Sequence, residues 1–524
     1  MQEFSTINNF LYTSLALLTA GGALTALERY KLKANELAKN KIKDYREIKS
    51  GKDGMRISKN IQLEAKKDYE GILMLAPTGA GKTTSLFLNN LLSNDIKGSF
   101  IVTDPKGELF ELTSGYQKEV CKRKVYKLDF NNVDYSENYN LLEQCRNTEE
   151  VMQLSSNLLL NGSLSIELSS GKRTGGMEWI QMSESLLSSV LLYCYKLGRP
   201  YNNIEFALQL ILTLDTKQLK KLIGSSNNLE AITQFNIFQC VGGADRTEGS
   251  IKITLASNTK LFTSKEVNKV SNFTTIDINK FRKEPSILYV IYPERKSSYL
   301  SPFIASFFSQ IIDKLLDDYN KNSLPTHLLF DEFANIGLLN NMSINAATFR
   351  SRKISLTICL QSITQLYQVY GINNAKAILN NLKTKVILPG LSDIESINLV
   401  SNICGNIEIN TSSKSFSKEN INVNYSKSKR KMFEDGEIRT LETGKGLIIA
   451  DNKMPVIDDI EPYYKSDLSK NVISPVKYKK RSYANFIDIR KEIDKIKEKT
   501  TEKVEEIEND NAGRILRGIF KEEV

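Results

Sequence analysis

The sequence predicts an α/β fold organised around a phosphate-binding loop, and three observations support this prediction. An apolar run ends at Ala76, and the segment PTGAGKTT at 77–84 then leads into a helical pattern. Short apolar strand patterns at 98–105 and 124–130 alternate with helical patterns, which is typical of a parallel sheet. Between 138 and 273 the chain changes to helical patterns separated by polar loops. We therefore expect a sheet domain with an all-helical insertion.

The loop at 77–84 has the residue types that bind a polyphosphate. Two glycines allow successive backbone N–H groups to curl around phosphates, a lysine reaches the β and γ phosphates, and a threonine hydroxyl suits Mg²⁺. The helix that follows directs its N-terminus at the anion. The strand-loop-helix context argues against a simple glycine-rich turn, although Ala76 replaces the usual first glycine. The residues expected to bind the nucleotide are Pro77, Thr78, Gly79, Ala80, Gly81, Lys82, Thr83 and Thr84.

A second motif is an apolar strand that ends in two carboxylates, Asp331 and Glu332. In an ATPase, such a pair lies opposite the phosphate loop. We expect Asp331, together with Thr83, to hold Mg²⁺, and Glu332 to polarise the attacking water. The chain contains one histidine, His327, which excludes Ser-His-Asp, Cys-His and multi-histidine metal chemistry. Its position at the start of this strand favours a structural role.

The residue types at two more positions suit a role at the γ phosphate. Arg350 ends the helical pattern after this strand, and Gln361 ends the next strand pattern. A glutamine beside the γ phosphate can sense it or orient water, and an arginine presented to a neighbouring subunit can neutralise transition-state charge. The spacing alone leaves two other interpretations equally open. The arginine can interact with a helix dipole, and the glutamine can satisfy backbone groups.

Composition sets further bounds. A length of 524 residues predicts two or more domains, and the net charge of +10 predicts attraction to nucleic acid or to an anionic membrane surface. The six cysteines are scattered without a Cys-x-x-Cys pair, which argues against a zinc site or a dense disulfide framework and favours a reducing compartment. The predicted division is an anchor at 1–27, a basic linker at 28–67, a nucleotide-binding domain at 68–137 and 274–470, a helical insertion at 138–273 and a charged tail at 471–524.

The first 27 residues predict a single membrane span. Residues 4–27 carry no charge, and residues 10–27 would extend about 27 Å as a helix, close to the thickness of a bilayer core. A signal peptide is disfavoured because residues 1–9 lack Lys and Arg, while a buried helix stays open. Residues 28–67 contain 13 Lys/Arg against 6 Asp/Glu, so we expect the rest of the chain in the cytoplasm.

Together these motifs resemble the coupling proteins of type IV secretion and conjugation, the TraG family of membrane-anchored, FtsK-like DNA-transfer ATPases. The resemblance covers roughly Lys59 to Tyr464. VTDPKGEL at 102–109 and LLFDEFANIG at 328–337 are its most specific motifs. It also rests on APTGAGKT, the insertion introduced by Met177-Glu178-Trp179, SILYVIYPE, CLQSITQL and the segment 380–390.

The resemblance implies a RecA-like P-loop NTPase domain that uses ATP and Mg²⁺ and forms a homo-hexameric ring. It implies that the all-helical domain faces DNA and relaxase or relaxosome proteins, with membrane proteins of the secretion channel as further partners. It also assigns the trans arginine role to Arg350, 18 residues after Glu332, and the sensor role to Gln361. Members commonly have two membrane spans, whereas one is predicted here. Without a zinc finger, RRM or helix-turn-helix pattern, DNA contact is expected to be to phosphates and independent of sequence.

Two alternatives remain. One is an FtsK-like plasmid or chromosome translocase, which would carry a DNA-orienting terminal domain that the charged tail does not resemble. The other is a membrane receptor that binds ATP, turns it over slowly and docks the substrate. Glu332 favours turnover over the receptor.

Overall fold

The structure is a computed structural model, and the described residues are 48, 51–171, 177–242, 245–416, 421–450, 453–481 and 488–499. The predicted membrane anchor at 1–27 lies outside them. Among the helices that are described, none has the length and apolar character needed to cross a bilayer.

One sheet of nine strands organises the described residues. Its order is β11-β10-β7-β1-β6-β5-β2-β4-β3. The strands are β1 (Ile72–Leu75), β2 (Ser99–Thr103), β3 (Lys124–Asp129), β4 (Ser286–Ile291), β5 (Thr326–Phe330), β6 (Ile354–Leu360), β7 (Thr384–Ile387), β8 (Asn406–Phe416), β9 (Ile421–Lys431), β10 (Lys445–Ile449) and β11 (Val456–Asp459). Strands β8 and β9 form a separate antiparallel hairpin. The composition of 411–431, which is rich in Lys, Ser and Asn, predicts a hairpin or a mobile loop. The described parts of this segment, 411–416 and 421–431, belong to the hairpin, which begins earlier, at Asn406.

The sheet is parallel from β7 to β3, as the alternation of strand and helix patterns predicts. Strands β10 and β11 add an antiparallel edge beside β7. The sequence analysis did not identify β11. Its residues, Val-Ile-Asp-Asp, are too few and too polar to form an apolar run.

Between β3 and β4 the described residues form helices and connecting turns but no strand. The helices of the described residues include α1 (Ala65–Asp68), α2 (Leu88–Leu91, preceded by a π-helical turn at Thr83–Phe87), α3 (Glu108–Glu119), α4 (Thr148–Ser170), α5 (Met177–Leu197), α6 (Ile204–Thr213), α7 (Thr216–Gly224), α8 (Leu229–Gly242), α9 (Asp245–Thr259), α10 (Lys265–Ser271), α11 (Ser297–Asp317), α12 (Met342–Thr348), α13 (Ile363–Asn381), α14 (Ile394–Cys404) and α15 (Asp435–Arg439). The predicted domain bounds remain predictions.

Both faces of the sheet are buried, as expected for parallel strands. One face packs against α2 and α3, and the other shares a continuous apolar core with the helical insertion. Helix α11 mediates that second contact. Its Phe308 meets Phe330 of β5 edge to face at 4.9 Å, while Phe307 meets Tyr139 at 4.7 Å. The insertion is thus packed on the domain that carries the phosphate loop.

The first part of the predicted tail also packs on this domain. The Val476 backbone N–H donates to Ser114 Oγ at 3.0 Å, and the Tyr478 hydroxyl donates to the Val125 carbonyl at 3.1 Å. These contacts place residues 471–481 along α3 and the edge strand β3. The apolar side chains of Val476 and Tyr478 explain why this stretch does not behave as a solvated charged tail.

Candidate nucleotide-binding site

The loop at 77–84 connects the buried strand β1 to the helical segment that begins at Thr83. Gly79 has φ +80° and Gly81 has φ +87°, a left-handed conformation that side chains disfavour, so both positions need glycine. The helical segment is anchored on the loop because the Ser85 backbone N–H and hydroxyl both donate to the Gly81 carbonyl. Thr78 and Gly79 are exposed. The loop is therefore shaped by its backbone and open to an incoming phosphate.

Side chains from three adjacent strand ends meet at this loop. Lys82 Nζ lies 3.2 Å from Asp331 Oδ1 and forms a second ion pair with Glu332 Oε1. Gln361 Nε2 donates to the same Glu332 oxygen at 2.5 Å. Strands β1, β6 and β5 are neighbours, so their carboxyl ends lie at one edge of the sheet. The structure thus brings together Lys82, Asp331, Glu332 and Gln361, four residues that the sequence analysis selected.

Backbone conformation fixes the two carboxylates. Glu332 is buried and adopts φ 54° and ψ 55°, a left-handed conformation that is uncommon for residues other than glycine. Backbone outliers of this kind concentrate at functional sites. The Asp331 backbone N–H donates to Thr103 Oγ1 at 2.8 Å. Thr103 ends β2, the next strand in the sheet, and the sequence analysis gave it no role.

The charges at this edge shift one another's pKa. Burial raises the pKa of Asp331, and the Lys82 ammonium only partly offsets that effect. For Lys82, burial acts to lower the pKa, but Asp331 and Glu332 outweigh it and raise the pKa above its ordinary value. Lys82 is therefore charged and paired with the two carboxylates.

A third carboxyl, Asp104, adds to this cluster. Burial raises the pKa of Asp104 to about 7, against the opposing effect of backbone N–H groups such as that of Phe110, which donates to Oδ2 at 2.8 Å. The charge of Asp331 makes a smaller contribution to this raised pKa. The sequence analysis included Asp104 only as one residue of the VTDPKGEL motif. That motif is the sequence feature that could have identified Asp104. In the structure, Asp104 follows β2, the strand adjacent to β5.

The donor atoms at this edge suit Mg²⁺, which prefers carboxylate, hydroxyl and water oxygens. Asp331 Oδ1 is buried, and within the described chain no well-oriented hydrogen bond reaches it. Thr83 contributes a hydroxyl from the first residue of the helical segment. No group of three or more His, Cys, Asp or Glu side chains among the described residues suits another metal. Thr83 and Asp331 have oxygen atoms of the kind that Mg²⁺ binds, and their assignment as its ligands stays a prediction.

Arg350 is not part of this group within one chain. It lies in a 3₁₀ turn, Phe349–Arg352, just before the amino end of β6, while Gln361 follows the carboxyl end of that strand. Seven strand residues separate the two ends, roughly 20 Å. Its side chain is 68% exposed, and Nη1 lies 3.0 Å from Glu70 Oε1.

His327 also lies near the amino edge, away from the loop. Its ring is 1% exposed and stacks on Phe100 at 4.9 Å. Nδ1 lies 3.1 Å from Asp68 Oδ2, and Nε2 lies 3.1 Å from the Lys97 carbonyl. These contacts agree with the predicted structural role.

Comparison with known proteins gives concordant findings. The family model described as "Type IV secretory system Conjugative DNA transfer" matches residues 28–506. Protein VirD4 of Rhizobium radiobacter is 24% identical over 411 residues, covering 73% of this chain and 55% of VirD4, so the chain spans about half the length of this curated relative.

Two solved structures of the coupling protein TrwB share the fold. TrwBdeltaN70 in complex with sulphate has a TM-score of 0.62 and 13% identity, covering 84% of this chain and 94% of that one. TrwB in complex with the non-hydrolysable ATP analogue ADPNP has a TM-score of 0.60 and 15% identity, covering 86% of this chain and 95% of that one. The likeness confirms an α/β P-loop NTPase fold.

Proposed function

Because the chain belongs to the type IV secretory system conjugative DNA transfer family, we propose that it hydrolyses ATP to move a relaxase-bound DNA into a secretion channel. The observation that carries this proposal is the convergence of Lys82, Asp331, Glu332 and Gln361 at the carboxyl edge of the sheet. The ADPNP complex of TrwB, which has the same fold, supports ATP as the nucleotide.

The geometry suggests how these residues act on ATP. Lys82 leaves the carboxylates and binds the β and γ phosphates, which replace them as its counter-ions. Glu332 is then free to accept a proton from the attacking water and to orient it in line with the γ phosphate. Gln361 already donates to Glu332 and can redirect the same N–H group to a phosphate oxygen. Thr83 and Asp331 would hold Mg²⁺, which neutralises phosphate charge when bound.

We propose that Arg350 of a neighbouring chain supplies a further cation to this arrangement. Arg350 is exposed at the amino edge and too far from its own loop to act there. A homo-hexameric ring in which the amino edge of one chain faces the loop of the next would place the guanidinium at the γ phosphate.

The remaining elements of the proposal are the membrane and the DNA. Residues 1–27 anchor the chain, and the bulk of it lies in the cytoplasm. The net charge of +10 attracts DNA phosphates without regard to sequence. The helical insertion receives the relaxase or relaxosome, and the membrane part contacts channel proteins.

An ATPase assay tests the proposal most directly. The chain lacking residues 1–27 is assayed without DNA, with single-stranded DNA and with duplex, each over a range of salt concentrations. We expect DNA to raise the turnover number and the effect to fall steeply with salt, since phosphate contacts release counter-ions. Turnover that neither form of DNA changes would contradict DNA translocation. A second measurement tests the anchor. The full chain should sediment with membranes, and the chain lacking residues 1–27 should not.

A docking receptor that binds ATP with little turnover is the second candidate. The double ion pair of Lys82 favours it, because a nucleotide must displace two buried carboxylates from the lysine. Tight ATP binding with turnover far below the ~1 s⁻¹ at the low end of ordinary enzymes, even with DNA, would favour this candidate.

A further inference from the structure

The exposed side chain of Arg350 is paired at one end with a largely buried carboxylate. Its Nη1 lies 3.0 Å from Glu70 Oε1, and the side chain of Glu70 is 11% exposed against 68% for Arg350. An ion pair with a largely buried carboxylate is screened less by solvent than a pair in which both groups are exposed. The contact therefore restrains the arginine while most of its guanidinium stays in solvent.

The backbone of Glu70 is fixed by its surroundings. Its N–H donates to the Lys67 carbonyl at 3.0 Å, and its carbonyl accepts from the Lys383 N–H at 3.0 Å at the start of β7. The next residue, Gly71, has φ +80°, and a Cβ there would lie 2.7 Å from Leu382 Cδ2. Glu70 is thus a rigid point on the sheet, next to the strand that leads to the phosphate loop.

The backbone of Arg350 is equally fixed, but its side chain is long. Phe349 buries its ring beside it, and the Thr326 N–H donates to the Lys353 carbonyl at 3.1 Å, which ties the turn to β5. An unrestrained arginine side chain loses much rotamer entropy when it binds. The pair with Glu70 removes part of that freedom in advance.

We propose that Glu70 is a positioning residue that presents Arg350 to the nucleotide of the adjacent chain. Nη1 is occupied by Glu70, which leaves Nε and Nη2 to approach a γ-phosphate oxygen. The inference rests on the proposed function, in which Arg350 completes a neighbour's site. The competing explanation is structural: Glu70 supports the start of β1 and so the phosphate loop of its own chain.

The first experiment uses the full chain with Glu70→Gln, which keeps the side-chain shape and removes the charge. We expect kcat to fall about 10-fold, because a displaced catalytic cation loses much of its effect, with the KM for ATP changed less than about twofold. The matched control is Glu119→Gln, which removes an exposed carboxylate paired with Lys118 at 3.6 Å and should leave kcat unchanged. A double variant with Arg350→Ala should be no slower than Arg350→Ala alone. A further loss in the double variant, or a rise in KM without a fall in kcat, would overturn the inference.

The second experiment mixes variants and separates the two explanations. Lys82→Ala chains lack a working loop but keep the intact pair of Glu70 and Arg350. Mixed with Glu70→Gln chains, they should raise turnover per intact loop about fivefold, since half of those loops then face a correctly held arginine. A structural role for Glu70 predicts no rise, because the defect would stay with the loop.

A parallel mixture of Arg350→Ala with Lys82→Ala chains tests the proposed function itself. If turnover recovers in this mixture but not in the Glu70→Gln mixture, the role of Glu70 is overturned and the trans role of Arg350 stands. Absence of recovery in co-assembled Arg350→Ala mixtures overturns the trans role and the positioning role together.

Discussion

The two edges of the parallel sheet differ in how their charged groups are satisfied. At the carboxyl edge, Lys82, Asp331, Glu332 and Gln361 are bound to one another and largely buried. At the amino edge, Arg350 is exposed and carries one ion pair, to Glu70. The carboxyl edge is thus an almost complete nucleotide site without a free cation, and the amino edge offers a cation without a nucleotide. The difference indicates that, in the proposed function, neither edge is sufficient within a single chain.

The largest effect is expected at the carboxyl edge. Lys82→Ala should abolish hydrolysis and ATP binding, because the phosphates lose their principal counter-ion. Glu332→Gln should abolish turnover but keep ATP bound, since Lys82 and Asp331 still hold phosphate and magnesium. Binding of a fluorescent ATP analogue, measured beside hydrolysis, distinguishes the two variants.

A stability measurement serves as the control for this pair. Lys82→Ala leaves two buried carboxylates without their counter-ion and should lower the unfolding midpoint, while Glu332→Gln removes one of those charges and should not. If the two variants lose nucleotide binding equally while both remain folded, the separate roles of Lys82 and Glu332 are wrong.

The next effect concerns the amino edge. Arg350→Ala should lower kcat by about 10³-fold, as for arginines that neutralise transition-state charge, with ATP binding nearly unchanged. Arg352 provides a matched control in the same turn, because its guanidinium lies over the Tyr319 ring at 5.2 Å. Arg352→Ala should change kcat by a few-fold at most. Equal losses in the two variants would indicate that the turn, rather than the Arg350 guanidinium, is what matters.

The smallest expected effect is on stability, and it arises from the buried carboxyl group of Asp104 at the carboxyl edge. Burial raises the pKa of Asp104 to about 7, whereas an aspartate in an unfolded chain has a pKa near ~3.9. The folded state therefore retains a proton that the unfolded state has released. The stability that this proton provides is fully present below about pH 4 and is lost as the pH rises through about 7.

Asp104→Asn, which has the same shape and no charge, should flatten this dependence. In urea titrations from pH 5 to pH 8, we expect its unfolding midpoint to change less than that of the unmodified chain and to be higher at pH 8. Parallel midpoint curves for the two proteins would show that Asp104 titrates at its ordinary pKa.

The carboxyl edge was largely predictable from the sequence, for a geometric reason. Residues that directly follow strands of a parallel sheet lie at the same edge, so Lys82, Asp331, Glu332 and Gln361 could be grouped without knowing the strand order. Thr103 and Glu70 required that order. Thr103 reaches Asp331 because β2 lies beside β5, and Glu70 reaches Arg350 because β1 lies beside β6. No local pattern contains this information.

Other differences have local causes. Strand β11 was missed because four residues with two aspartates show no apolar run. The beginning of the predicted tail packs on β3 through Tyr478. The sequence analysis classified this stretch by its overall charge and so overlooked the aromatic side chain. The predicted membrane anchor lies outside the described residues and stays a prediction.

The pairing of β1 with β6 also constrains how the chain folds as it is made. Ile72 of β1 lies opposite Thr357 of β6, a separation of 285 residues, so the strand that carries the phosphate loop is synthesised long before this partner. At ribosomal rates of about 5–20 residues per second, roughly 15–60 s pass between the synthesis of β1 and that of β6. Within the insertion, α5 packs on α4 and on α8, and these helices can form during that interval. The nascent strand meanwhile exposes its apolar residues, which makes this stage of synthesis the one most dependent on chaperones.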